Sequence, residues 1–384
     1  MQAIGSNAQG QLGVGHGEDC AAWETCKVST GAFGGRVVSV ASGSTCTAVW
    51  AVGERHRVYV AGELGGWGAS DVFVELPYDA LCAAAGAESF EVRHLAAAWD
   101  CLYLVLEKKE TDVLLALGTS NAFGQLGVAR PQGWVHRVEV CAAEPLWASA
   151  GMPDVRAFRV TALAAGVRHA LAVLQGSHTV LLGWGDARHG QLGPPPEPVA
   201  VHGMRRRIRA PAVLYTWPAP TAVRIAAGMQ HSVLATDTEL WMFGSARHGQ
   251  TDAGRCVPPG AAPRPLPAPD GVEKVRVSAP AYPACNWHTS LVLWPTLGHL
   301  GACGASQHDQ IPPTPSVPRG ARLRSGSEHS VLLAPPTVLG WGWNEHGNLG
   351  AGPESLPPRP LLDAAEAWAG YGNTYACSSK EGLS

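Results

Sequence analysis

Fifteen histidines and ten cysteines are the residues with which this 384-residue chain could bind a metal or move protons. Their spacing points elsewhere. His169, His231, His288 and His329 each close a Gly-x-x-His-like pattern, and His189, His248, His308 and His346 each sit inside a glycine-rich turn. A zinc site needs ligands that converge from a short, fixed spacing. One histidine per unit at the same place in every unit reads instead as a ring hydrogen bond that ties strand to loop inside that unit. No Cys-x-x-Cys occurs. Cys46, Cys101, Cys285 and Cys377 take places where a small apolar residue fits, the pattern of buried reduced thiols. Cys20 and Cys26 share one loop and are the one cysteine pair that could meet a metal. There is no Gly-x-Ser-x-Gly, phosphate loop, dinucleotide fingerprint or His-Glu-x-x-His. No catalytic residue, cofactor or resident metal is therefore expected, and covalent enzyme chemistry is not.

The elements behind these residues repeat. GSNAQGQLG at residues 5–13 returns as GTSNAFGQLG (118–127), GWGDARHGQLG (183–193) and GWGWNEHGNLG (340–350), with eroded copies at 244–250 and 304–311. A weaker copy starts at Tyr59-Val60-Ala61-Gly62. The second motif has its glycine position at Gly43, Ala98, Gly166, Gly228, Cys285, Gly326 and Gly370, and its histidine position at Cys46, Cys101, His169, His231, His288, His329 and Asn373. Seven units of about 55 residues fall in the range of propeller blades. Each unit reads as a β-hairpin; Ser232-Val233-Leu234-Ala235, a turn at Asp237-Thr238 and Leu240-Trp241-Met242-Phe243 is one example. Helical spacing of apolar residues appears only at 81–90 and 361–368. The fold expected is an all-β, seven-bladed propeller filling residues 1–384 as one domain. The chain opens and closes inside a unit, so strands at 2–5 and 374–378 should pair and close the ring, removing exposed edges. Four strands per blade are expected, with the proline clusters in loops between strands.

The net charge is −3. No basic arm flanks the motifs, so direct DNA binding is not expected. No apolar run of about 18 residues occurs, so no membrane span is expected, and no secretory leader precedes the first motif. The cytoplasm and nucleus are the compartments this composition fits. Arg205, Arg206, Arg207 and Arg209 form one basic cluster: a solvated loop, a contact for RNA, phosphate or an acidic partner, or an import signal. Trp67, Trp134, Trp147 and Trp217 fall in insertion loops.

The two linked motifs, recurring in phase over nearly the whole chain, resemble the regulator of chromosome condensation repeat family of seven-bladed propellers. The opening MQAIGSNAQGQLGVGHGED, with Ala98-Trp99-Asp100, resembles the fungal alpha-tubulin-suppressor (killer-toxin-insensitivity) branch. That resemblance implies a non-enzymatic scaffold in a heterodimer with a small CSL-type zinc-binding electron carrier. It would serve diphthamide synthesis on elongation factor 2 and, indirectly through Elongator, wobble-uridine modification of tRNA. The wider family implies the alternative, guanine-nucleotide exchange on a small GTPase. The family also implies that the two residues between glycine and histidine line the face where partners dock. Those pairs supply Trp99, Asp100, Arg168, Met229, Gln230, Trp287, Glu328 and Tyr371, a composition enriched at protein interfaces. The other reading of Trp99 and Trp287 is that they fold inward and plug the channel.

Overall fold

Seven antiparallel sheets follow one another around an axis in the computed structural model, which describes residues 1–108, 111–140, 159–193, 207–258, 264–313 and 316–378. The first blade is Arg36–Ser42, Cys46–Val52, His56–Leu64 and Gly68–Glu75. The second is Glu91–Ala97, Leu102–Lys108, Thr111–Leu117 and Val135–Val138. The third is Arg159–Ala165, His169–Gln175, Thr179–Asp186 and Arg207–Trp217. The fourth holds Arg224–Ala227, His231–Ala235, Glu239–Gly244 and Val272–Arg276, with a short fifth strand, Arg264–Pro265. The fifth has Tyr282–Cys285, Thr289–Trp294 and His299–Gly304, and the sixth Arg322–Ser325, His329–Ala334, Thr337–Trp343 and Ser355–Asp363.

The seventh blade closes the ring. Gln2–Gly5 lies between Cys20–Thr25 and Asn373–Cys377, with Glu366–Ala369 innermost. The register runs Gln2↔Ala376, Ala3↔Tyr375, Ile4↔Thr374 and Gly5↔Asn373, so the two ends of the described chain share one hairpin, as the repeats imply. Tyr375 fastens the join. Its hydroxyl, fully buried, meets Thr47 Oγ1 of the first blade at 2.7 Å and donates to the Gln11 carbonyl at 2.9 Å.

Each motif residue has a visible task. Where the asparagine is present, its side chain accepts a later backbone N–H: Asn7 from Leu12 (2.9 Å), Asn121 from Leu126 (3.0 Å), Asn344 from Leu349 (2.7 Å). The glutamine carboxamide oxygen accepts from the residue two before it, as Gln191 does from His189 (2.9 Å) and Gln250 from His248 (2.8 Å). Its own carbonyl then receives the next blade. Trp184 Nε1 donates to the Gln125 carbonyl (2.9 Å), and Trp341 Nε1 to that of Gln310 (3.0 Å). The glycine ending the third strand is obligatory on two counts at Gly185: φ is +101°, and a Cβ would lie 2.4 Å from the Arg168 carbonyl oxygen. In the eroded copy, Asp309 takes the turn glycine's left-handed place at φ 59°, a region aspartate tolerates better than most residues.

Apolar residues fill the spaces between adjacent blades. Tyr103, Leu171, Trp184, Leu192 and Phe243 belong to one such layer spanning the second to fourth blades. The inner strands are rich in alanine and serine and surround an axial cavity of about 460 Å³, lined in part by Ala41, Ala97, Ala165, Ala227 and Ser325. Among the described residues no helix is long and apolar enough to cross a membrane.

Four expectations need correction. The apolar spacing at 361–368 is not helix: it runs from the end of the strand Ser355–Asp363, where Leu361 is the extra residue of a bulge, across Ala364-Ala365 into the strand Glu366–Ala369. At 81–90 the helix is Tyr78–Ala85, stopped by Gly86 in the left-handed conformation (φ 63°), and Phe90 lies beyond it. Blades are not uniformly four-stranded. In the fifth, the described part of the proline-rich stretch after residue 311 contributes a single bridge, Ser316 to His299, because proline brings no N–H to a ladder. Pro357, Pro358 and Pro360, conversely, sit within the outer strand Ser355–Asp363, which an edge strand permits.

Candidate protein-docking face

The loops between first and second strands converge at one mouth of the cavity and are stitched together by backbone. Ser44 N–H donates to the Trp99 carbonyl (2.9 Å), and Trp99 N–H to Val167 (3.2 Å). Met229 N–H donates to Trp287 (3.1 Å), Trp287 to Ser327 (2.6 Å), and Ser327 to Gly370 (3.2 Å). In these five links each loop hands a carbonyl to the loop before it. Close approach explains the glycines: a Cβ on Gly228 would meet the Asn286 carbonyl oxygen at 2.5 Å.

Three aromatic side chains from three blades meet over this ring. Trp99 and Trp287 have centroids 5.9 Å apart, Trp99 and Tyr371 5.9 Å, and Trp287 and Tyr371 5.8 Å, the tyrosine standing edge-on to both indoles. All three are half-buried. Burial pushes the Tyr371 hydroxyl above its usual ionisation range. The arrangement caps the channel mouth while the three residues remain half-exposed.

The polar members are held by neighbouring side chains. Arg168 is exposed, but its guanidinium lies over the Phe123 ring at 4.1 Å, with Arg188 at 4.9 Å and Arg207 at 5.4 Å from the same ring. Asp100 is half-buried and receives Gln125 Nε2 at 3.4 Å. Glu328 is buried; it accepts from Gln310 Nε2 (2.9 Å) and pairs with His288 Nδ1 (2.9 Å). Met229 and Gln230 are half-buried in the fourth blade's loop. The eight residues belong to one ring of loops, with Trp99, Trp287 and Tyr371 in mutual contact at its centre.

Beside Trp287 lies a depression of about 260 Å³ that the sequence reading missed. His248, His288, His308, Glu328 and Trp343 line it. The His248 and His288 rings are 4.7 Å apart, and His308 stacks on Trp343 at 5.4 Å. The turn histidines were expected to be internal braces, but in these blades they project to the face. The available signal was that they vary in character, with Gln9 and Phe123 at the equivalent place.

Of the Gly-x-x-His histidines, His169, His288 and His329 join blades rather than tie strand to loop within one, while the buried ring nitrogens of His231 have no partner among the described residues. His169 Nε2 meets Ser232 Oγ of the next blade (2.9 Å), and Ser232 donates back to the Gln191 carbonyl (2.8 Å). His329 does the same through Thr374 (3.0 Å) to Asn348 (2.6 Å). Burial lowers His169 and His329 to about 4, and His231, also near two other histidines, to about 3. They stay neutral at physiological pH. His288 reaches across to Glu328 instead.

Of the nine described cysteines all but Cys377 are buried. Trp217 closes a strand and is buried, while Trp67 and Trp134 pack on each other at 5.2 Å between the first two blades. Arg207 and Arg209 belong to an outer strand. Trp147, Arg205 and Arg206 lie outside the described residues.

No family model matches the chain. The secretion-regulating guanine nucleotide exchange factor of Mus musculus is 29% identical over 400 residues, covering 93% of this chain and 79% of that protein. The Bos taurus protein of the same name is 28% identical, covering 94% and 78%. Human WBSCR16 superposes with a TM-score of 0.65 at 17% identity, covering 98% of this chain and 99% of that one. Saccharomyces cerevisiae Prp20p, studied for binding Gsp1p and histones, gives 0.66 at 18%, covering 99% and 92%. At those identities the solved structures speak to fold, a seven-bladed propeller of the regulator of chromosome condensation type.

Proposed function

We propose that this propeller of the regulator of chromosome condensation type binds a small GTPase on the face capped by Trp99, Trp287 and Tyr371 and promotes release of its guanine nucleotide. The observation that carries the reading is the similarity to the secretion-regulating exchange factors, which runs through 93% of the chain rather than one blade. The face supports it: central aromatic anchors surrounded by fixed charges of both signs. Exchange needs no covalent step. A small GTPase holds its phosphates with a loop and a magnesium ion. A protein that binds the nucleotide-free form better lowers nucleotide affinity by the same factor that nucleotide lowers its own. We therefore assign the chain no catalytic nucleophile, acid or base.

The competing outcome is the heterodimer with a CSL-type zinc carrier serving the diphthamide and Elongator pathways, which rests on the opening motif and Ala98-Trp99-Asp100. Affinity purification from cell extract, with and without chelator, separates the two. The exchange reading expects a small GTPase whose recovery rises when magnesium is chelated and falls when GTP and magnesium are restored. Recovery of the zinc carrier alone, insensitive to nucleotide, overturns it.

A further inference from the structure

We propose that His16, Cys20 and Glu24 form a binding site for one zinc-class divalent cation at the edge of the closing blade. One donor atom from each lies within 4.8 Å of the other two. His16 Nε2 is 3.1 Å from Glu24 Oε2, and Cys20 Sγ is 3.4 Å from Glu24 Oε1. A tetrahedral zinc ion with bonds of about 2.0–2.3 Å needs ligand atoms about 3.3–3.8 Å apart, so side-chain adjustments of up to about 1 Å would seat it. Thiolate, imidazole and carboxylate together select zinc or cobalt over magnesium or calcium, which prefer all-oxygen sites.

Local structure presets the trio. Cys20 and Glu24 lie in the strand Cys20–Thr25, whose pairing shifts register between them (Ala3↔Glu24, Gly5↔Cys20), and their side chains still meet. Backbone pairing of Gly5 with Cys20 anchors that strand to the ring-closing strand. The loop carrying His16 is held by Asn7, whose Nδ2 donates to the His16 carbonyl (2.7 Å) and the Glu18 carbonyl (3.1 Å). Asp19 accepts from Asn7 N–H (2.7 Å) and from His346 of the sixth blade (2.9 Å). Cys20 is buried at one side, while the His16 and Glu24 side chains are 38% and 43% exposed, which leaves an entry path and an open fourth position. Cys26, the expected partner of Cys20, is not part of the donor group.

The probe is Co²⁺, with Zn²⁺ as competitor, on full-length protein kept reduced with a phosphine. The expected result is one cobalt per chain, a thiolate-to-cobalt charge-transfer band and tetrahedral visible bands, all displaced by zinc. Calorimetry in buffers of different ionisation enthalpy should show about one proton released per metal at neutral pH. The band should vanish in Cys20→Ser and persist in Cys26→Ser, and His16→Ala should weaken binding at least tenfold. Should Cys20→Ser fail to fold, His16→Ala, altered at a part-exposed loop position, decides. Absence of the band in wild-type protein, its survival in Cys20→Ser, or undiminished affinity in His16→Ala would overturn the proposal.

Discussion

Replacing Trp287 by alanine separates capping from docking, because the two make different demands on one side chain. The indole packs on Trp99 at 5.9 Å and on Tyr371 at 5.8 Å. Aromatic pairs of this kind contribute about 0.5–1.5 kcal/mol each beyond area burial, so truncation should cost the fold about 1–3 kcal/mol. The backbone ring need not break, since Trp287 joins it through its N–H to Ser327 and its carbonyl from Met229. Trp287→Ala should therefore fold, with a midpoint lowered by a few degrees, a degree or more per kcal/mol in a domain of this size. If Trp287 also anchors the partner, affinity should fall by about 2 kcal/mol, roughly 30-fold, as for central interface aromatics. Thermal melts, with calorimetric titration of the purified partner at a temperature where the variant is fully folded, give both numbers. A lowered midpoint with unchanged affinity would refute the docking role. The Trp67–Trp134 pair or the Phe123 arginine cluster would then be the next surface to test.

Three further outcomes are expected. Tyr375→Phe removes the hydroxyl shared by Thr47 and the Gln11 carbonyl and should destabilise by about 1–3 kcal/mol through the buried groups left unpaired; an unchanged denaturant midpoint contradicts this. Deleting residues 1–5 strips the central strand from the seventh blade and should destabilise the whole ring rather than trim a tail; a melting midpoint equal to wild type would contradict the closure. Because His169 and His329 have folded values near 4 against about 6.5 when unfolded, the unfolded chain binds more protons between those limits. Stability should then fall as pH drops from about 6.5 towards 4 and gain nothing further from these groups above 7. Urea unfolding of wild type and His169→Gln across that range tests it, and an equal slope in the two proteins would refute the assignment.

The frame was legible because propeller turns need particular residues. Left-handed φ at Gly185, the asparagine and glutamine braces and the blade-spanning tryptophans all leave repeating letters. Ring closure was legible because each end of the described chain carries half of one motif. What misled was local pattern without pairing context. The apolar spacing at 361–368 looks helical only because it runs across the break between two strands. The histidines mislead in a related way, since sequence shows that His169 recurs but not that its partner, Ser232, sits in the next blade. The depression beside Trp287 joins His248, His288 and Trp343 from three blades, and the His16–Cys20–Glu24 group depends on a loop folding back over a strand. Neither is readable from spacing alone.

The most direct test of the account is the rate of guanine-nucleotide release from a panel of purified small GTPases loaded with fluorescent GDP, with and without this protein. Acceleration of one GTPase that saturates with propeller concentration, and is weakened by Trp287→Ala as its affinity is, is the predicted result. Unchanged release from every GTPase, including any recovered by affinity purification, would contradict the proposed function.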